Sequence, residues 1–464
     1  VSQNLAGQGI VDIPPLPPMA AWIDGQQVIQ DYEDVYTRDE FFPASPVQVI
    51  GTAQMRKWRY IRILYCPFQY NPVTKVLRKV SDVSFQVSHV PAAGTIVPDS
   101  LLADDVMDQR AANILYNYKE AASWYTPASP APRPSVTYDY VIITTSTIQS
   151  ASTQLSNFTS YLSTKGFNPL VVTESQYSGL TGQSPNGTAE KIRQWLINNY
   201  STYNIEYVLL IGNPHPSTGN VPMKMCWPRI GESSYQTSPT DYFYADLTGN
   251  WNLDGDTYFG EWQDDRGTGG VDFANEVYVG RIPVYSGVLS LDNILSKMIS
   301  FGTASPTSIS WRQSALLPMS YSDSSTDGAY LAEAMKTDYL TPSSYSNYTM
   351  YQQGSMCAAA DSSFSSNQEL LNSVVASHWG SNNYGMVWWW GHGWYTSASI
   401  GYTGCGSANL FNNTETSSLN DSYPAFAYLC SCYNGYPENS GNLGTALLRQ
   451  GAVATVSASR VSWY

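Results

Sequence analysis

From about residue 136 onward the chain alternates short, unbroken apolar runs with longer stretches of helical spacing. This rhythm constrains the fold more than any other feature. YDYVIITT, PLVVTE, EYVLLIGN, RQSALLPMS, YGMVWWWGHG, PAFAYLCSCYNG and GAVATVSASR read as strands. Between them, STIQSASTQLSNFTSYLSTKG, TAEKIRQWLINNYS, LDNILSKMISF, GAYLAEAMKTDYL, NQELLNSVVASH and NLGTALLRQ read as helices. Strands apolar on both faces and separated by helices call for a mostly parallel sheet covered on both sides. Two α/β units in tandem, 136–285 and 286–464, or one large sheet would both fit.

The region before this is different. VQVIGTA, YIRILYCPFQY, TKVLRKV and DVSFQVSHV follow one another with turn residues between them and no helical segment, which predicts a small all-β sandwich over 1–95. A helical stretch, DDVMDQRAANILYNYKEAASWY, then leads into the Pro- and Ser-rich TPASPAPRPS, so 96–135 reads as a helical segment and linker. With 464 residues the chain exceeds one ordinary core.

Composition narrows the partners. A net charge of −14 leaves no basic stripe to neutralise phosphates, which argues against nucleic acid. Only 13% of residues are charged, and Ser, Thr, Asn, Gln and Tyr fill their place, a pattern that suits a secreted or cell-surface protein. No apolar stretch reaches the roughly 20 residues of a membrane span. The opening VSQNLAGQG reads as a chain already trimmed. Six cysteines are too few for a disulfide framework and show no zinc-knuckle spacing; one or two bridges are left open.

In sheets of this kind, chemistry gathers beyond the carboxyl ends of the strands. YGMVWWW stops at Gly391-His392-Gly393, and FAYLCSCY stops just after Cys432. The stretch between them is long enough for a crossover joining adjacent parallel strands. A histidine and a cysteine on neighbouring strand tips suit a thiolate nucleophile with an imidazole partner. The Gly393 and Cys432 N–H groups could form an oxyanion hole. Cys430 and Cys432 point to one face of the strand, where a disulfide between them would be strained; Cys430, one step inside, reads as packing. The plainer alternative is a core histidine with two inert cysteines.

The stretches MVWWWGHGW and FAYLCSCYNGYPENSGNLGTALLRQGAVATVSAS resemble the catalytic blocks of the gingipain family, secreted cysteine endopeptidases with a caspase-type fold. The resemblance implies that His392 is the catalytic histidine and Cys432, in CYNG, the nucleophile. It extends to YVLLIGN, TDYFYADLTGNW and NEVYVGRIPV, where Glu276 matches the carboxylate that orients the histidine in some members. Asn213 stands where the family usually has Asp. PFQYNPVTKVLRKVSDVSFQV is similar to the family's propeptide domain, so the chain reads as a zymogen, cut near SWYTPASP, with a segment such as QMRKWR in the cleft, or as a protein that keeps this domain permanently. The fold implied is an α/β caspase/gingipain-like catalytic domain over 136–464, preceded by the β-sandwich domain. In the family more catalytic domain follows the strand near the chain's end, which implies a fragment or one processed piece, whose sheet a second chain would complete.

WNLDGDTYFGEWQDD sets Asn252, Asp254, Asp256, Glu261 and Asp265 around a tight turn, hard oxygen ligands that suit a structural Ca2+ without matching the EF-hand spacing. A solvated acidic loop is the alternative. Catalysis itself needs no cofactor. Family members that cleave after Arg or Lys carry an acidic residue in the primary pocket; Asp292 is the candidate here, and Trp394 could instead line an apolar wall. The leading expectation is a secreted cysteine endopeptidase acting on protein or peptide substrates. A non-catalytic surface or filament protein and a caspase-fold transpeptidase are the rivals.

Overall fold

The computed structural model describes residues 2–11, 21–23, 26–28, 36–87, 97, 99–125, 136–228, 237–262, 264–402 and 404–462. The linker 126–135, with most of the proposed cleavage segment, lies outside them.

Two parallel sheets follow one another along the chain. The first has the order Tyr278–Pro283, Tyr207–Gly212, Tyr140–Ile143, Pro169–Val172. Its unbroken apolar strands feed two cores. Val141, Ile143, Val208 and Leu210 pack on one face with Ile192, Trp195 and Leu196 of helix Thr188–Asn199. Ile142, Leu209 and Ile211 pack on the other with Phe158 and Leu162 of helix Leu155–Thr164 and Ile294 and Leu295 of helix Leu289–Thr303.

The second sheet has six parallel strands in the order Gln368–Glu369, Ser346–Tyr351, Ser314–Met319, Met386–Trp390, Ala425–Cys430, Ala452–Ser457. Alternation again divides the side chains. Leu316, Val387, Trp389, Ala427 and Leu429 enter one core, while Leu317, Met319, Trp388, Trp390 and Cys430 meet on the opposite face. Cys430 is thus a packing residue. The stretch NQELLNSVVASH, which reads as one helix, splits into the short strand Gln368–Glu369 and the helix Val374–Ser381. Helix Leu443–Arg449 joins the units: Leu443 and Leu447 enter the second core, Leu448 reaches the first, and Lys297 Nζ donates to the Leu448 carbonyl at 2.8 Å.

The N-terminal part is rich in strands. Ser2–Ile10, Val76–Ser84 and Phe68–Asn71 form an antiparallel sheet, and Val47–Met55 pairs with Trp58–Tyr65 in a hairpin. Arg56 takes φ 51° in the two-residue turn, as hairpins of this length favour. The hairpin end is buried among the following helices: Met55 and Trp58 pack with Met107, Ala111 and Ala121, and Tyr118 and Tyr125 lie 5.0 and 4.8 Å from the Trp58 ring. Each such large side chain contributes about 1.5–3 kcal/mol on burial.

The segment QMRKWR therefore has a different place from the one expected. Its Gln54 N–H donates to Asp272 Oδ2 at 2.7 Å, and Arg56 bonds to Glu276, Asp104 and the Ile205 carbonyl. It docks beside the entry to strand Tyr278–Pro283, and among the described residues none of its hydrogen bonds reaches His392 or Cys432. A cationic hairpin turn finds its compensating charge there in Asp104, and hydrogen-bond acceptors in Asp272 and Glu276.

Candidate active site

Register brings the two strand tips level. Trp390 pairs with Cys430 as the last couple between neighbouring parallel strands. His392 and Cys432 each lie two residues further on. Beyond Gly391 the chain turns into a second short strand, His392–Trp394, which pairs antiparallel with Ser397–Ile400. A Cβ on Gly393 would stand 2.6 Å from the Cys432 nitrogen and 2.9 Å from Ser431 Cβ, and would also strike the Cys432 carbonyl oxygen. Only glycine allows the histidine strand to lie this close to the cysteine turn.

His392 is exposed, and its Nε2 is 2.8 Å from the Ser322 carbonyl. A carbonyl only accepts, so Nε2 carries a proton here, and in the neutral imidazole it is Nδ1 that has the lone pair. Cys432 is a half-buried free thiol whose Sγ accepts the Ser462 N–H at 3.4 Å. No hydrogen bond joins it to His392 among the described residues, and none engages the Cys432 N–H. Tyr433, the next residue, turns the chain sharply with φ 59°.

Glu276 is not brought to His392. It is fully buried just ahead of strand Tyr278–Pro283, where its carboxylate accepts the Leu247 N–H at 2.6 Å, the Thr248 hydroxyl at 3.2 Å and the Arg56 N–H at 3.3 Å. Burial and the neighbouring Asp246 push its carboxyl up to about 8. The group hydrogen-bonded to His392 is the Ser322 carbonyl.

Asp292 is likewise occupied elsewhere. It stands in the first turn of helix Leu289–Thr303 and takes hydrogen bonds from the Ser152 hydroxyl at 2.5 Å, the Thr153 hydroxyl at 2.7 Å and the Thr153 N–H at 3.1 Å. Burial opposes its ionisation, but these bonds outweigh it and hold the carboxyl below its ordinary value. It anchors the 152–154 turn rather than lining a pocket. Trp394 stays by the cysteine: it is 53% exposed, stacks on Tyr395 at 4.2 Å and meets Tyr433 edge-on at 5.4 Å. Tyr395 stacks in turn on Tyr436 at 4.3 Å, completing an aromatic wall.

The family model of peptidase family C25 matches residues 133–464, and that of the C25 propeptide matches 11–122. This chain belongs to peptidase family C25. Membership supports a cysteine peptidase. Among solved structures, the Arg-specific cysteine proteinase gingipain R (RgpB) is similar at 18% identity with a TM-score of 0.50, covering 72% of this chain and 66% of that one. The complex of Porphyromonas gingivalis RgpB pro- and mature domains is similar at 18% identity and a TM-score of 0.49, covering 70% and 64%. The chain thus spans just under two thirds of the gingipain R chain, and the likeness establishes the gingipain-like fold. No curated protein matches.

The C25 chain gathers three of its five expected metal ligands. Ligand atoms of Asp254, Asp256 and Glu261 lie within 4.8 Å of one another. Among the described residues Glu261 Oε2 is buried without a hydrogen-bond partner, and burial together with Asp256, Asp265 and Asp254 pushes its carboxyl up to about 7. A divalent cation would satisfy that oxygen, so these residues fit one. Asn252 and Asp265 instead brace the loop: Asn252 bonds the Asp256 carbonyl and the Gly255 N–H, while Asp265 accepts the Leu253 and Glu261 N–H groups.

The C25 site also contains groups that sequence reasoning missed. Ser322 meets His392 through its backbone carbonyl, which leaves no side-chain signal. Ser431 and Asn434 are buried under the cysteine turn, and only the CYNG match hinted at the asparagine. A disulfide, Cys357–Cys405, ties the loop after strand Ser346–Tyr351 to the loop after Ser397–Ile400.

Proposed function

We propose that this chain is a secreted cysteine endopeptidase in which His392 activates Cys432. The observation that carries the reading is the close approach of Gly393 to the Cys432 backbone, at the level tips of two adjacent strands. His392 Nδ1 takes the thiol proton, and the thiolate attacks a peptide carbonyl. The N–H groups of Gly393 and Cys432 stabilise the resulting oxyanion. The imidazolium then protonates the leaving amine, and the thioester is hydrolysed by a water that His392 deprotonates. The Ser322 carbonyl supports the imidazolium through Nε2–H.

Trp394 and its neighbouring tyrosines favour an apolar or aromatic substrate side chain, since Asp292 is committed to the 152–154 turn. Asp254, Asp256 and Glu261 hold a structural Ca2+ in this reading.

A second state accounts for the geometry of Cys432 as it stands. Its sulfur faces Ser462 and is not bonded to His392, which favours a latent form with the propeptide region docked through Arg56. The test is turnover of a fluorogenic peptide panel by the parent chain, Cys432→Ala and Cys430→Ala, before and after limited proteolysis of the linker. Cys430→Ala should keep activity and Cys432→Ala should lose it. Full turnover by Cys432→Ala would sink the assignment, and no turnover by the processed parent would favour a non-catalytic role.

A further inference from the structure

Resting on that reading, we infer that Asn434 is a positioning residue that holds the His392 strand against the Cys432 turn. Asn434 is fully buried two residues after the cysteine. Its Nδ2 donates to the Trp394 carbonyl at 2.7 Å and to the Ser397 carbonyl at 3.0 Å. Those two residues face each other across the hairpin that carries His392. Its Oδ1 accepts from the Ser431 hydroxyl, and Ser431 Oγ accepts from Trp389 Nε1 at 3.0 Å.

Chemistry permits one direction for this chain of bonds. Carbonyls only accept, so the amide nitrogen must face Trp394 and Ser397, and its oxygen must face Ser431. Indole N–H only donates, so the hydroxyl must accept from Trp389 and give its proton to Asn434. The relay grips the histidine segment on both sides of His392, at Trp389 and at Trp394. It crosses beneath the nucleophile turn through Ser431 and Asn434.

The backbone reinforces the grip. Gly444 N–H donates to the Asn434 carbonyl at 2.8 Å and Leu443 N–H to the Tyr395 carbonyl at 2.8 Å, so the start of one helix holds both the cysteine turn and the histidine hairpin. The Gly393–Cys432 approach, where two backbones meet without side chains between them, is what this clamp maintains. Its loss would let the imidazole drift from the sulfur, and a displacement of about 1 Å can cost roughly 100-fold in rate.

The experiment uses the full chain, assayed after limited proteolysis of the linker, with Asn434→Asp, which keeps size and acceptor but loses both donors, and Ser431→Ala, which cuts the link to Trp389. Iodoacetamide labelling of the Cys432 peptide is followed by mass spectrometry against pH, beside kcat and KM on the fluorogenic peptide and thermal unfolding. The inference expects cooperative unfolding in both variants. It also expects a labelling midpoint different from the parent's. In Asn434→Asp, kcat should fall roughly 100-fold with KM within about threefold.

A folded variant with the parent's labelling midpoint and kcat overturns the inference. Should Asn434→Asp not fold, Ser431→Ala decides by the same criteria. A parent that labels like His392→Ala refutes the Cys–His pair and this inference with it. A parent that shows the pair while both variants behave like it refutes this inference alone.

Discussion

Arg56 and Glu276 are joined twice: Arg56 Nε donates to the Glu276 carbonyl at 2.9 Å, and the Arg56 N–H to its carboxylate at 3.3 Å. The guanidinium is 1% exposed and also pairs with Asp104. Removing one partner of a buried charge pair leaves the other uncompensated, at a cost of about 3–5 kcal/mol. Arg56→Ala is therefore expected to lower the stability of the docked propeptide region by that order, read as a lower urea midpoint and faster proteolysis after Arg59. Lys57→Ala, which removes a salt bridge to the partly exposed Asp108, should cost less.

Glu276 also sets a pH dependence. An ordinary glutamate titrates near 4.5, and burial, then Asp246, raise this one to about 8. The folded state therefore holds the proton more tightly than the unfolded chain does. The stabilisation from this group is fully present below about pH 4.5 and is lost as pH rises through about 8. Glu276→Gln, neutral throughout, should flatten the decline in stability across that window. Urea midpoints measured at several pH values check this, and an unchanged slope would count against the raised carboxyl.

The parallel sheets were legible because apolar strands with no polar face can be buried only between two cores. Val141 and Ile142 show this, since adjacent residues enter different cores. The tips at His392 and Cys432 were legible for the same reason, as a strand ending in glycine or turn residues marks its own carboxyl end. Glu276 was misplaced because a family match transfers a residue type without its tertiary partners, and here Arg56, 220 residues away in sequence, takes part of the carboxylate. Ser322 was invisible because a backbone carbonyl looks the same at every position. The Cys357–Cys405 bridge joins two loops whose proximity only the finished fold determines.

Gly393→Ala tests the approach of the two backbones. The added methyl would meet main-chain atoms of Cys432, which cannot swing aside as a flexible side chain would. The strand must move, and the Gly393 N–H leaves the proposed oxyanion site with it. Losing one such donor costs about 10²–10³ in kcat. The expected outcome is a folded protein with kcat reduced to that extent, measured on the fluorogenic peptide. Activity within a few-fold of the parent would show that the hole lies elsewhere.

Calcium should stabilise the 252–265 loop. With Asp254, Asp256 and Glu261 converging, millimolar Ca2+ is expected to raise the melting temperature and a chelator to reverse it. Glu261→Gln and Asp256→Asn should each weaken the increment. Calorimetry with and without Ca2+ reads the effect, and identical melting in parent and variants would leave the loop an acidic turn.

Asp323 fixes the loop that presents the Ser322 carbonyl to His392. Its carboxylate accepts the Ser325 and Thr326 N–H groups, each at 2.8 Å, and the hydroxyls of the same residues at 2.8 and 2.9 Å. Burial opposes ionisation, yet these bonds hold the carboxyl at about 2, so the brace persists through any pH at which a peptidase is assayed. Asp323→Ala frees the loop without touching the imidazole. The Nε2–H bond then loosens, and the tautomer that leaves Nδ1 available becomes less populated. The expected result is kcat lowered about 10-fold with KM little changed, because the lost interaction serves the proton transfer and not substrate binding. Asp323→Asn, which keeps one acceptor oxygen, should recover part of the rate. Equal loss in both variants, or a change confined to KM, would assign the loop to substrate binding instead.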